Sequence, residues 1–199
     1  ILHRASEVLD RIERAYENYE FHAVYHALVE FATVDLSNVY MDVTKDRMYC
    51  EGPNSRARKA GQTAYWQVLH ALVRAAAPIL SFTAEEVWSH IPQPDGAAES
   101  IFLSDYPQVP DEWSNEKVAS RWSRLLEVRK TVQKALETHR QSDADDSIGS
   151  SQQAHVTLVA EGRTHELLGE FSDELVELFI VSEVDLQEGE VSGDAPVET

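Results

Sequence analysis

Leu2, Ala5, Val8, Leu9, Ile12, Ala15, Tyr16 and Tyr19 recur three and four residues apart, the stripe of an amphipathic helix over residues 2–19. Phe21, Val24, Leu28 and Phe31 repeat the pattern and predict a second helix over about 20–33. Asp35-Leu36-Ser37 then interrupts it. Short polar side chains compete for the helical backbone, so a bend is expected, with a shorter restart carrying Val39, Tyr40 and Val43. Gly52-Pro53-Asn54-Ser55 is a strong break. A third helix is predicted from about Ser55 to Ala76, burying Tyr65, Leu69, Leu72 and Val73 and stopping before Pro78. Thr83-Ala84-Glu85-Glu86 reads as a capping box, with Thr83 as N-cap of a short helix that carries Val87 and Trp88. Pro92, Pro94, Gly96, Pro107 and Pro110 mark a connector, with a short extended piece at Ile101-Phe102-Leu103. A long helix follows over about 114–139, with Val118, Trp122, Leu125, Val132 and Leu136 as its seam. Arg129 lies on that seam and is expected to carry its charge outward along its stem. Ala154 to Val159 alternates like a strand, residues 164–178 read as helix in two pieces, and Phe179 to Leu186 reads as a second strand.

The fold class is therefore mainly α: a helical bundle followed by a small α/β junction of two strands plus helices. The expected division is a bundle over 1–92, a Pro-rich connector over 93–116 and a long basic helix over 117–140 completing the bundle. A Ser/Asp/Gly/Gln-rich loop over 141–152, the α/β junction over 153–187 and a disordered acidic tail over 188–199 follow. With 199 residues, 43 % hydrophobic and 26 % charged, the composition is that of a soluble globular protein. No apolar run approaches the roughly 18 residues of a membrane span, and the N-terminus has no signal-peptide core. The chain begins without Met and reads as a domain excised from a longer protein. Its single cysteine, Cys50, excludes a disulfide framework or an all-cysteine zinc site within the chain.

Charge sharpens the picture. The net charge is −18, which argues against sequence-blind nucleic-acid binding. Its distribution is uneven. Residues 141–199 hold fifteen acidic residues and one basic residue, Arg163. Residues 117–140 hold seven basic and two acidic residues, and residues 45–59 hold five basic and two acidic. Two basic islands therefore stand in an acidic chain. Lys45, Arg47, Arg56, Arg58 and Lys59 flank the Gly52-Pro53 turn, where Arg side chains and a helix N-terminus together suit phosphate. The same residues also fit a solvated helix end paired with Asp46 and Glu51. Arg121, Arg124, Lys130 and Lys134 form the second island, mostly off the seam of the long helix.

Candidate chemistry is sparse. His22, His26 and Glu30, four apart on one helix face, could hold zinc, or be ordinary polar-face residues. Asp35, Asp42 and Asp46 could share a divalent cation, or serve as caps and salt links. Ser150 and Ser151 have no base tied to them by any motif. There is no phosphate-binding glycine loop, no GxSxG and no HExxH, so no catalytic residue and no cofactor site is expected here.

Several stretches carry a family resemblance. Residues 15–22, AYENYEFH, resemble the AYExYEFH stretch of bacterial-type isoleucyl-tRNA synthetases. Residues 35–49, DLSNVYMDVTKDRMY, resemble their DLSxxYxDxxKDRLY, and residues 77–88, APILSFTAEEVW, their APILPFTAEExW. Trp122 to Arg129, Ile148-Gly149-Ser150-Ser151 and Phe179-Ile180-Val181-Ser182 continue the similarity in order, so that it spans about residues 8–186. Valyl and leucyl relatives share the bundle, and the KDRxY block favours the isoleucyl form. Ser81 stands where the family has Pro. Ser147, after Asp143, Asp145 and Asp146, stands where Lys is usual, which argues against a tRNA contact by that loop. The resemblance implies a class I anticodon-binding bundle that grips the anticodon stem of tRNA(Ile), with the two islands on its phosphates. It further implies ATP-dependent charging, with Mg and zinc, by catalytic, editing and zinc-knuckle regions whose motifs this sequence lacks. A cytoplasmic monomer with no membrane contact is expected. Apart from the resemblance, a helical protein-interaction module that binds no nucleic acid fits the same pattern.

Overall fold

The computed structural model describes residues 1–141 and 148–189. Contacts divide the chain into two units, Ile1–Glu116 and Lys117–Thr199. The long helix, read from the sequence as completing the bundle, is grouped by its contacts with the segment that follows it.

In the first unit the stripe of α1 (Leu2–Glu17) buries Ala5, Val8, Leu9, Ile12 and Ala15. They meet Val24 and Ala27 of α2 (Phe21–Glu30), then Phe31, and Val68, Ala71 and Ala75 of α4 (Arg56–Ala76). Small residues on α4 let α1 approach closely, and Tyr16 Oη donates to Ala75 O at 2.9 Å beside them. Burial pushes the Tyr16 phenol up to about 12. The stripe ends sooner than predicted: Tyr19 adopts φ 59° and is 80 % exposed, because the chain reverses there into α2.

No bend follows α2. Residues Phe31–Met41 continue as a wider π-type helix. The expected break at Asp35 fails because a tertiary partner outcompetes the local backbone: Arg4 Nε donates to the Asp35 carboxylate at 3.2 Å. The short helix α3 (Lys45–Tyr49) comes next, then the turn into α4.

Helix α5 (Ser81–His90) starts two residues before the predicted cap, with Leu80 at the N-cap position and no side-chain cap bond. The capping box of Thr83 and Glu86 does not form, since the helix already begins at Ser81 and Thr83 lies inside it; Ser81 Oγ donates to Ala77 O at 3.1 Å, and the neighbouring Glu85 carboxylate accepts from Ile101 N at 2.9 Å. That bond also corrects the extended piece at 101–103, which is a 3-10 turn burying Ile101 against Trp88, Ala84, Val73 and Ala77. The connector is likewise packed: Trp113 enters the main core, and Tyr106 Oη donates to Leu9 O at 3.1 Å.

The second unit holds α6 (Glu116–Arg140) from Lys117 on, β1 (His155–Ala160), α7 (Gly162–Glu170), α8 (Leu175–Phe179) and β2 (Glu183–Glu188). The strands pair in parallel, His155 opposite Glu183 through Ala160 opposite Glu188. Parallel pairing needs a crossover, which α7 and α8 supply. Val156 and Ala160 face the buried side with Leu167, Leu168, Leu175, Leu178 and Phe179. The predicted second strand is four residues out of place at its start. Phe179 ends α8 as a core anchor, and Ile180, at φ 58°, turns the chain toward β2.

Arg129 does not reach solvent. It is 2 % exposed, and its guanidinium donates to Leu178 O in the last turn of α8. A helix C-terminus presents carbonyls without intrahelical partners, and a buried guanidinium is tolerable only when such acceptors meet it. The expected loop over 141–152 and tail over 188–199 lie partly outside the described residues. Within them, Ser150 and Gln153 form a reciprocal cap on the turn Ser151–Gln153, and β2 extends to Glu188.

Candidate nucleic-acid interface

The Gly52-Pro53 island is built where α3 lies against the start of α4. Thr44 Oγ1 donates to Tyr40 O at 2.6 Å and shares a 2.8 Å hydrogen bond with Tyr65 Oη, fastening the entry of α3 to α4. On the same seam Gly61 faces Met48, and a Cβ at 61 would stand 2.7 Å from Met48 Cε. A side chain at 61 would therefore have to displace the flexible end of Met48. Ser55 caps α4, its Oγ accepting from Arg58 N at 3.3 Å and donating to the Glu51 carboxylate.

These contacts give the five basic residues different situations. Lys45, Arg56 and Lys59 are exposed. The Lys59 ammonium donates to Asn54 Oδ1 at 3.2 Å. Arg47 is half-buried beside Tyr40, whose phenol burial pushes up, Tyr65 adding to the shift and Arg47 opposing it. Arg58 is also half-buried: Nη1 donates to Glu51 O at 2.7 Å, and its buried Nε has no partner among the described residues. Arg58 thus holds the turn, and the exposed cations present charge.

An exposed aromatic lies beside the island: Tyr49, at the end of α3 and two residues past Arg47, is 81 % exposed. A five-residue helix is too short to show a stripe, so periodicity could not orient that ring. Trp66 is partly exposed, with its ring centroid 4.3 Å from that of His70 and Nε1 donating to Pro92 O at 3.0 Å.

The second island splits. With 3.6 residues per turn, Lys130 and Lys134 lie on the face of α6 away from Leu125, Arg129, Val132 and Leu136, and both are exposed. Arg121 and Arg124 instead flank the seam beside α7. Arg121 pairs with the Glu170 carboxylate, and its guanidinium stacks 4.8 Å from the Phe171 centroid. The fold adds Arg163 to these two, and all three line one open cleft of about 350 Å³. Nothing in the primary sequence could join Arg163 to residues about 40 positions away.

The other candidate groups are not assembled. Glu30 pairs with Arg11 at 3.4 Å and Asp35 with Arg4, which occupies one member of each proposed ligand set. Among the described residues, one His/carboxylate group has ligand atoms within 4.8 Å of one another, His155, Glu183 and Asp185 on the exposed face of the sheet. Its carboxylates sit at opposite ring nitrogens, Asp185 3.0 Å from Nε2 and Glu183 3.9 Å from Nδ1. No described helix is long and apolar enough to cross a membrane.

A bundle with an Arg-studded helix entry beside an exposed tyrosine suits RNA, and comparison with known families agrees. The profile of the anticodon-binding domain of tRNA ligases matches residues 1–158, and the chain belongs to that family. Among curated proteins, the chain is 45 % identical over 188 residues to the isoleucine–tRNA ligase of Symbiobacterium thermophilum, covering 93 % of this chain and 20 % of that protein. It is 44 % identical over 193 residues to that of Carboxydothermus hydrogenoformans, covering 97 % and 20 %. It is 40 % identical over 195 residues to that of Geobacter sulfurreducens, covering 98 % and 20 %. The chain spans about a fifth of the length of these relatives.

Proposed function

We propose that this chain is the anticodon-stem-binding part of an isoleucine–tRNA ligase, holding tRNA(Ile) while a catalytic region charges it with isoleucine. The observation that carries the reading is the family match over residues 1–158, which takes in both basic islands. Lys45, Arg56 and Lys59 meet stem phosphates at the entry of α4, where free backbone N–H groups and the helix dipole favour an anion. Arg47 and Arg58 support them from half-buried positions. Arg121, Arg124, Lys130 and Lys134 on α6 make further phosphate contacts. Such contacts set position and carry no base information. Tyr49 offers a ring on which an unstacked base or ribose can lie.

The activity of the whole enzyme is ATP-dependent ligation. ATP and Mg belong to its catalytic part, and this chain has no glycine loop to cradle a triphosphate. Zinc belongs with a cysteine-rich knuckle, which one cysteine cannot form. The partners are tRNA(Ile) and the remaining regions of the synthetase, in a cytoplasmic monomer.

The test is titration with tRNA(Ile) at several salt concentrations, comparing the wild type with a Lys45→Gln, Arg56→Gln, Lys59→Gln triple variant that leaves the turn-holding Arg58 intact. Each lost phosphate contact reduces the log K versus log salt slope by about 0.7–0.9, so a total flattening of about two units is expected. Discrimination against a non-cognate tRNA should stay the same. An affinity and slope equal to wild type would sink the proposal.

A further inference from the structure

Arg163 is the one basic residue among the last 59 of the sequence, in a stretch with fifteen acidic residues. The fold nevertheless sets it in the first turn of α7 facing the same cleft as Arg121 and Arg124 of α6. The cleft is also lined by Leu167, Glu166 and Glu170. Arg121 is immobilised, paired with Glu170 and stacked on Phe171, whose ring in turn meets Trp122 edge-on at 6.1 Å. Glu170 is thereby neutralised. No hydrogen bond or ion pair among the described residues engages the guanidinium of Arg124 or Arg163. Two uncommitted guanidinium forks thus converge on a concave surface whose third arginine is already fixed. Like charges held together cost free energy in the absence of an anion, and guanidinium forks match the oxygen geometry of phosphate. Three arginines against two carboxylates leave a net charge of +1, which balances one phosphodiester and is too little for a polyphosphate.

We infer that the cleft between α6 and α7 is a seat for one backbone phosphodiester of the bound RNA, gripped by Arg124 and Arg163 with Arg121 as its rigid wall. The inference rests on the tRNA-binding reading above; it adds a residue, Arg163, and confines the phosphate contact of Arg124 to a defined seat. It also assigns different tasks along α6: Arg124 faces the seat, whereas Lys130 and Lys134 do not.

The experiment uses the whole 199-residue chain. Arg163→Gln and Arg124→Gln are exposed changes, verified by circular dichroism to leave the fold intact. In tRNA(Ile) titrations each should lower the magnitude of the salt slope by about 0.7–0.9, which narrows the wild-type advantage about threefold between 50 and 200 mM salt. Arg163→Lys keeps the charge and should restore the slope, with weaker binding because an ammonium cannot make the bidentate contact. A separate arm titrates inorganic phosphate while following the arginine Nε–H resonances. Arg124 and Arg163 should move together, and the buried Arg129 should not. Arg56→Gln in the bundle turn serves as the control. If Arg56→Gln flattens the slope and Arg163→Gln does not, the cleft inference fails while the tRNA-binding reading stands. If phosphate moves both resonances yet Arg163→Gln leaves the tRNA slope unchanged, the cleft is an anion site outside the RNA interface, and the inference is overturned. If the wild-type chain binds no tRNA at any salt, both readings fall.

Discussion

Replacing Arg129 with Met removes the buried polar contacts of its guanidinium, the bond to Leu178 O among them, from the second unit. The side chain is 2 % exposed and donates to Leu178 O, itself in a buried residue at the end of α8. Methionine replaces the stem with a flexible apolar chain and lacks only the terminal guanidinium atoms, which limits the cavity left behind. What is lost is a charge-assisted hydrogen bond, and what remains is a desolvated carbonyl, together a cost of about 1.5–3 kcal/mol. Relief from burying the guanidinium offsets part of that cost, which sets the expectation near 2 kcal/mol. For a unit of this size 1 kcal/mol corresponds to about 4–8 °C, so its midpoint should fall by about 10 °C. Arg129→Ala removes in addition two buried stem methylenes, Cγ and Cδ, at about 0.8 kcal/mol each, and should cost about 3.5 kcal/mol. Urea unfolding measures the total. Native-state amide exchange places the loss, because β1, β2 and α8 should lose protection. A methionine variant at least as stable as the wild type, with unchanged exchange in α8, would refute the argument that Arg129 caps that helix.

Alkaline pH tests the bundle. The Tyr16 phenol ionises at about 12 in the folded chain against about 10 unfolded, so its contribution is intact below pH 10 and is lost as pH rises from 10 to 12. Burial also raises Tyr106, in the same direction. Tyr16→Phe should cost about 1 kcal/mol at pH 8 through its bond to Ala75 O, and should make the fall in urea midpoint between pH 10 and 12 shallower. An equally steep fall in the variant contradicts the assignment. Gly61→Leu should force α3 away from α4 and cost about 1–3 kcal/mol, while Gly61→Ala, which only pushes the flexible end of Met48, should cost less. Thermal melts of the two variants give the order, and equal midpoints would remove Gly61 from the α3–α4 seam. Ser55→Ala should cost about 1 kcal/mol through the lost cap of α4. Equal urea midpoints for variant and wild type would show that Ser55 does not cap α4.

Local periodicity and turn chemistry were enough for much of this protein. The stripe of α1, the Ser55 start of α4, the seam residues Leu125, Val132 and Leu136, and two strands around a helical crossover follow from patterns within a few residues. The Gly52-Pro53 island was legible because its cations are close in sequence. Other features needed the folded chain, since their energetics depend on partners far away in sequence. Asp35 stays helical because Arg4, 31 positions earlier, takes its carboxylate. Thr83 is no cap because the helix already begins at Ser81, and the Glu85 carboxylate takes Ile101 N, 16 positions on. Arg129 is buried because the carbonyl end of α8, 49 positions on, supplies its acceptor. The same holds for the cleft. A lone arginine in an acidic stretch becomes one of three only when α7 is laid beside α6, because electrostatic fields act through space and take no account of the separation along the chain.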